Sequence, residues 1–425
     1  MKEVLISLAK FAINSRVYSI LQNEIEIKPI DLFSQLSNIN IFPKVYWSHR
    51  DDKESRIAFG KILGSYRIPV IKLKEQLEGS SFEPRFYGGR SFDGDSTKKT
   101  LFETFRRQYF FLPQYEIVQK KDKTSLFIYE IATSDLKPKR LKEPSLYYKS
   151  LNETLDFKVT NLKHIPTYEV WNKQITSLIK DIQTKKLDKA VIARQSSFSL
   201  NQDVNPYVVL KKLQESFFKS SFFCFQFKPT HSFLGATPEC LYSRKNSYLK
   251  TEAVAGTTDL LQNTNLLESK KEKNEFSYVT LFLSDALKRI GHNLLKKNDK
   301  TLNLGYLKHL YSQFEAKLKP EVTDKEIIDS LFPSPALSGY PQNKALLKIK
   351  DLEDFNRDWY ASPIGWISES RAELVIAIRS CLISKQNVHL FVGNGIVKDS
   401  NPQKEWDELD MKMSPFLTLF NYESY

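Results

Sequence analysis

The chain has 425 residues, enough for one large core or two domains, and its 41% hydrophobic and 27% charged residues mark an ordinary globular protein rather than a disordered one. A formal charge of +13 leaves two readings, a protein for nucleic acid or a membrane surface, or an enzyme for a small anion on a lysine-rich chain. Three scattered cysteines, Cys224, Cys240 and Cys381, without CxxC spacing argue against a zinc site or disulfide framework, and no apolar run reaches the roughly 18 residues of a membrane helix, so the expected setting is reducing and cytoplasmic.

The first twenty residues are interrupted by Lys10 and carry no small-residue cleavage site, which predicts an amphipathic helix rather than a signal peptide. Short aromatic runs at 109–112, 115–118 and 125–129, separated by turn residues, predict strands. Residues 136 to 165 are polar and contain Pro138 and Pro144, so they predict a connection. The densest basic cluster, from Lys137 to Lys142, falls there and reads as a solvated loop; the other basic residues are spread along the chain.

From Tyr168 the pattern becomes helical, with Trp171, Ile175, Leu178, Ile179 and Ile182 on one face. A buried strand is expected at 190–193, a helix at 206–219 and a strand at 222–227. A long helix is expected over 266–296, carrying Leu281, Leu283, Leu287 and Ile290, with strands later at 374–378 and 388–391. Helices and strands interleave, which gives an α/β or α+β class with large sheets.

Four segments carry candidate chemistry. The first is Lys189-Ala-Val-Ile-Ala-Arg194. The second is Phe233-Leu-Gly-Ala-Thr-Pro-Glu239 with Thr251-Glu-Ala-Val-Ala-Gly-Thr257. The third is Lys271-Glu-Lys-Asn-Glu275. The fourth is a C-terminal series: 359–366, Ala377-Ile-Arg379, Phe391-Val-Gly-Asn-Gly395 and 400–408. Taken singly, each has a plain structural meaning. A lysine before a strand is usually surface. Glutamates three apart, such as Glu405 and Glu408, usually decorate a solvated helix face. Gly393 and Gly395 fit a tight turn, and His309 fits a structural histidine.

In this order the segments resemble the chorismate-utilising enzymes, the family of anthranilate, aminodeoxychorismate, isochorismate and salicylate synthases. The resemblance covers about residues 165 to 415. The front third resembles the family more loosely, through Val45-Tyr-Trp47, Phe59-Gly60 and Phe86-Tyr-Gly-Gly89. It implies a fold of two large antiparallel sheets packed face to face with helices outside. Residues 1–155 would be a variable front part completing the sheets, and 160–415 the chorismate-binding catalytic region.

The implied substrate is chorismate, a dicarboxylate with a hydroxyl to lose, and the implied cofactor is Mg2+. By resemblance Glu275, Glu405 and Glu408 supply the metal's oxygen ligands, directly or through water. Tyr360 and Arg379 hold a substrate carboxylate or side chain, and the arginine fork suits a carboxylate. Lys412 adds positive charge, and the backbone at Gly393 and Gly395 admits an anion closely. Gly256, Thr257, His309 and Ala336 complete the substrate-binding set. Glu239 resembles the general acid for the hydroxyl leaving C4 and must be protonated near neutral pH. Lys189 resembles the general base for water attacking C2 and must spend part of its time neutral.

Ammonia-using relatives carry Gln where this chain has Lys189, and one kind of aminodeoxychorismate synthase carries a nucleophilic lysine at the position of Ala255. Both features point to water as the nucleophile, which leaves isochorismate synthase or salicylate synthase, and Ala336 favours the first. Salicylate synthase is the alternative; its pattern has threonine where this chain has Ala336. Departures from the pattern are Phe276 for His, Glu272 for Asp, Ser362 for Gly, Asn394 for Ala and Leu409 for Thr. The expected role is menaquinone synthesis, with a siderophore pathway as the other outlet, and a monomer is expected because water needs no partner subunit. Two rivals stand outside this reading: a basic nucleic-acid-binding protein and an inactive family member acting as a scaffold.

Overall fold

The computed structural model describes residues 4–51, 54–76, 83–92, 100–132, 141–152, 157–217, 219–259, 266–303 and 307–422. Most of the basic cluster from Lys137 to Lys142 lies outside them. Among the described residues fourteen strands form one sheet and ten a second, with every pairing antiparallel.

The larger sheet has at one end Val159–Ile165, then Lys189–Leu200, Asn387–Ile396, Ser380–Ser384, His231–Thr237 and Ser221–Lys228. It continues into the front third through Lys44–Ser48, which pairs with Ser221–Lys228. The smaller sheet is built on Leu307–Leu318, Tyr248–Asp259, Cys240–Lys245, Arg371–Ile376 and Pro363–Ile367. It too continues into the front third, where Phe86–Arg90 pairs with Pro363–Ile367. Strands from before residue 155 therefore extend both sheets.

Period-two alternation explains how one strand serves two cores. On Ser221–Lys228, Phe223 and Phe225 face the core between the sheets, while Phe222 and Cys224 face the helices outside. The inter-sheet core is aromatic: Phe233, Phe102 and Phe105 meet edge to face, and Trp359 packs on Phe225 at 5.6 Å. Helices α1 (Leu32–Asn38), α2 (Tyr168–Gln183), α3 (Pro206–Ser216), α6 (Gln342–Leu352) and α7 (Pro402–Leu419) cover the larger sheet. Helices α4 (Lys270–Ile290) and α5 (Asp324–Leu331) pack with the smaller one. The Asn-Pro signal before α7 acts as written: Asn401 caps the backbone N–H groups of Gln403 and Lys404, and Pro402 occupies the first turn.

Two expectations are corrected. The N-terminal segment is a hairpin of strands Val4–Ile13 and Arg16–Ile27, not an amphipathic helix. Asn14 and Ser15 form its two-residue turn with φ of 48° and 70°, the left-handed geometry that hairpin turns require. Ala9, Phe11 and Ile13 are buried at every second position. The helix expected over 266–296 ends at Ile290, where Gly291 turns extended and begins the strand Gly291–Lys296. Leu281, expected on its buried face, is exposed, and the buried face instead runs through Leu283, Ala286, Leu287 and Ile290.

Candidate active site

The strand Lys189–Leu200 enters the core of the molecule with Lys189 at its first position. Val191 and Ala193, two and four residues on, line a cleft of about 140 Å³ between the sheets. Its neighbour Asn387–Ile396 pairs Gly393 with Ala193 and Gly395 with Val191. These two glycines stand in the sheet ladder rather than in the expected tight turn, and their lack of side chains keeps the cleft open. A Cβ on Gly395 would lie 2.6 Å from Lys189 Cε and 2.8 Å from Glu275 Oε1, and one on Gly393 would lie 3.1 Å from the Tyr360 hydroxyl.

Lys189 is buried, and its Nζ donates to Glu275 Oε1 at 2.7 Å. It sits behind the wall, with Glu275 between it and the open space. Glu272 and Glu275 are one turn apart on α4 and both line the cleft. From the opposite side α7 presents Glu405, Glu408 and Lys412. The carboxylates expected as metal ligands thus share one cleft, but each has its own partner. Glu275 takes Lys189, Glu408 takes Lys412 at 2.7 Å, and Glu405 accepts from Ser400 Oγ at 2.7 Å.

Asn394 bonds two members of the α7 group, Glu405 and Lys412. It is buried between the two glycines, its Nδ2 donates to the Glu405 backbone carbonyl at 2.7 Å and to Oε2 at 3.1 Å, and its Oδ1 accepts from Lys412. Lys412 also donates to the Gly393 carbonyl at 3.1 Å.

Glu239 follows the strand His231–Thr237 and faces the same cleft. Burial, reinforced by the charge of Glu252 and opposed by Lys189, pushes its carboxyl up to about 8. The acid is protonated at neutral pH while lying within the field of Lys189. His309, opposite Thr257 in the sheet register, hydrogen-bonds the Gly256 backbone. Burial, with Arg379 and Lys412 nearby, brings its imidazole down to about 3, so it is neutral. Gly256 has a φ of +68° at a bulge in its strand, and a Cβ there would meet Glu272 at 3.2 Å. The Thr257 side chain lies outside the described residues.

Tyr360 and Arg379 close the far wall beside Ala336. Tyr360 stacks on Phe391 with ring centroids 5.3 Å apart, and burial raises its phenol well above the ordinary range, so it is a neutral donor. Arg379 and Ala361 hold φ of 51° and 55°, a backbone conformation that non-glycine residues adopt at some energetic cost.

One cleft residue carries no sequence signal. Arg357 is fully buried and donates to Glu353 at 2.9 Å, to the Leu337 carbonyl at 2.8 Å and to the Val191 carbonyl at 2.6 Å. Glu353 in turn accepts from the Ala193 N–H at 2.8 Å. This pair ties the Ala336 loop to the strand of Lys189. Glutamate and arginine four apart look like a surface ion pair in sequence, and only tertiary packing buries them.

A family model for chorismate binding enzymes matches residues 5–421. The chain belongs to the chorismate-binding enzyme family. Within the family it is 32% identical over 363 residues to isochorismate synthase 2, chloroplastic, of Arabidopsis thaliana, covering 80% of this chain and 65% of the plant protein's length. It is 26% identical over 419 residues to isochorismate synthase MenF of Haemophilus influenzae, covering 94% of this chain and 91% of that one. Among solved structures the menaquinone-specific isochorismate synthase MenF of Escherichia coli superposes with a TM-score of 0.79 at 23% identity, over 97% of this chain and 96% of that one. The fold expectation of two large antiparallel sheets with helices outside is met.

Proposed function

We propose that the chain is an isochorismate synthase that adds water to C2 of chorismate and releases the C4 hydroxyl, serving menaquinone synthesis. The observation that carries the chemistry is the buried Glu239 in the cleft, its carboxyl pushed up to about 8, with the buried amine of Lys189 behind the cleft wall on Glu275. Relatives of that name across 94% and 80% of the chain support the same reaction.

Glu239 gives its proton to the departing hydroxyl, which leaves as water. Lys189 takes a proton from the water attacking C2, so one water enters, one leaves, and the product is an isomer. Lys189 Nζ is held by Glu275 Oε1 at 2.7 Å, so it acts as base once Glu275 turns away from it. Arg379 and Tyr360 hold a substrate carboxylate by two donors and a neutral hydroxyl. Neutral His309 orients ring substituents without adding charge. Lys412 and the open backbone at Gly393 and Gly395 complete the anion's surroundings. Gly256 shapes the floor, and Ala336 leaves a wall without a hydroxyl.

The donor chemistry fits Mg2+. Glu275, Glu405 and Glu408 meet the cleft as oxygen donors with no thiolate among its lining residues. Among the described residues no three acidic, histidine or cysteine side chains converge as a ready cage. That suits a cation that keeps waters and takes substrate oxygens beside one or two carboxylates. Glu275, Glu405 and Glu408 would hold Mg2+, which would supply positive charge to a substrate carboxylate, and Glu275 is the one of them already bonded by Lys189.

No helix among the described residues is long and apolar enough to cross a membrane. Incubation with chorismate and Mg2+ tests the proposal. Isochorismate as product supports it, pyruvate release redirects it to salicylate synthesis, and unconsumed chorismate leaves the scaffold.

A further inference from the structure

Glu239 sits where the chain crosses from the larger sheet to the smaller, between His231–Thr237 and Cys240–Lys245. Its backbone is held on several sides. The Glu239 N–H donates to Thr237 Oγ1 at 3.3 Å, and Thr237 Oγ1 donates to the Ile376 carbonyl at 2.6 Å. The Ile376 N–H donates to the Glu239 carbonyl at 3.0 Å. The preceding carbonyl, Pro238, accepts from Arg50 Nη1, while Nη2 of the same guanidinium donates to Glu252. The Tyr311 hydroxyl donates to the same Glu252 oxygen at 2.6 Å. The Arg50 and Glu252 side chains are 6% and 8% exposed.

We infer that Arg50 and Glu252 form a charged brace that positions Glu239 and holds its proton, so that the front third of the chain contributes a positioning residue to the reaction. This rests on Glu239 being the general acid. The planar guanidinium does what a lysine cannot, sending one donor to the carbonyl beside the acid and another to a carboxylate. The Glu252 carboxylate, bonded by Arg50 and Tyr311, lies near Glu239, and a like charge nearby disfavours ionisation of the second carboxyl. The elevated value at Glu239 has this charge as its second cause, after burial.

Other groups face Glu239 as well. Lys189 opposes Glu252 from the strand Lys189–Leu200. Tyr360, ahead of Pro363–Ile367, is kept neutral by burial. Burial keeps the Cys240 thiol beside it protonated. Arg379 and the neutral His309 line the same cleft.

The test is the pH dependence of kcat and kcat/KM for chorismate in the full-length wild type, Glu252→Gln, Glu252→Asp and Arg50→Lys. A general acid is active while protonated, so activity falls as pH rises through its pKa. Glu252→Gln should move that alkaline limb down by about one unit, about a tenfold loss at a fixed pH on the limb, with little change in KM. Glu252→Asp keeps the charge and should keep the limb with a lower kcat. Arg50→Lys loses one of two bonds and should lower kcat without moving the limb. In substrate-free protein, the infrared band of the protonated carboxyl that Glu239→Gln removes should titrate lower in Glu252→Gln by the same amount.

Coincident limbs and band midpoints in a folded Glu252→Gln protein overturn the brace. Should that variant not fold, wild-type kcat in both Glu252→Asp and Arg50→Lys overturns it. A wild type that forms no isochorismate defeats the functional reading, and the infrared titration then decides the brace alone.

Discussion

At Glu239 the required chemistry is produced by burial. An ordinary glutamate near 4.5 is ionised at neutral pH and has no proton to give, whereas this one sits at about 8. The active form is the acid, so kcat/KM should decline as pH rises through about 8. Glu239→Gln should lose about a hundred- to ten-thousandfold at every pH, as isochorismate formation against pH will show. At Asn394 the chain departs from its family, and the departure is used: the amide bonds both Glu405 and Lys412. Asn394→Ala should destabilise the fold by about 1 kcal/mol and raise the Mg2+ concentration for half-maximal activity about fivefold, read by urea unfolding and metal titration. The order of motifs was legible for these residues because reactive side chains lie at strand starts and helix turns. Arg50, Glu252 and Arg357 were not, because their partners lie 188, 202 and 166 positions away and no local spacing marks such distances.

At the scale of elements, α7 is a helix with two working faces. Glu405, Glu408 and Lys412 face the cleft, while Trp406 packs under the Arg194 guanidinium at 4.2 Å and Asp410 bonds it. Leu409, fully buried between these faces, fixes the helix on the larger sheet. Leu409→Ala should lower stability by about 2–5 kcal/mol, measured by denaturant unfolding, and should weaken Mg2+ dependence in parallel, since all three cleft residues ride on this helix. Helix α2 was readable from apolar spacing and α3 was expected close to its observed range, while α7 showed only through the three-residue spacing of Glu405 and Glu408. The hairpin at 4–27 was not, because Asn14-Ser15 is a weaker turn signal than Asn-Gly and the run before it satisfies helical spacing as well. The end of α4 at Gly291 was obscured by Leu294 and Leu295, which continue the apolar period after the backbone has become a strand.

At the scale of the molecule, the two sheets meet around a cleft whose proposed acid and carboxylates, and the proposed base behind its wall, come from strands and helices far apart in sequence. Interleaved strands and helices in the sequence indicated a mixed class, but the pairing of Lys44–Ser48 with Ser221–Lys228 is a long-range register that no local pattern encodes. The net charge of +13 is spread along the chain, whereas the cleft gathers the carboxylates Glu272, Glu275, Glu405 and Glu408 and the protonated Glu239 with Arg379 and Lys412. The most direct measurement is product identification after incubating the purified chain with chorismate, with and without Mg2+. Isochorismate as the sole product, formed only with the metal, is the predicted result; unconsumed chorismate, or release of pyruvate, would contradict it.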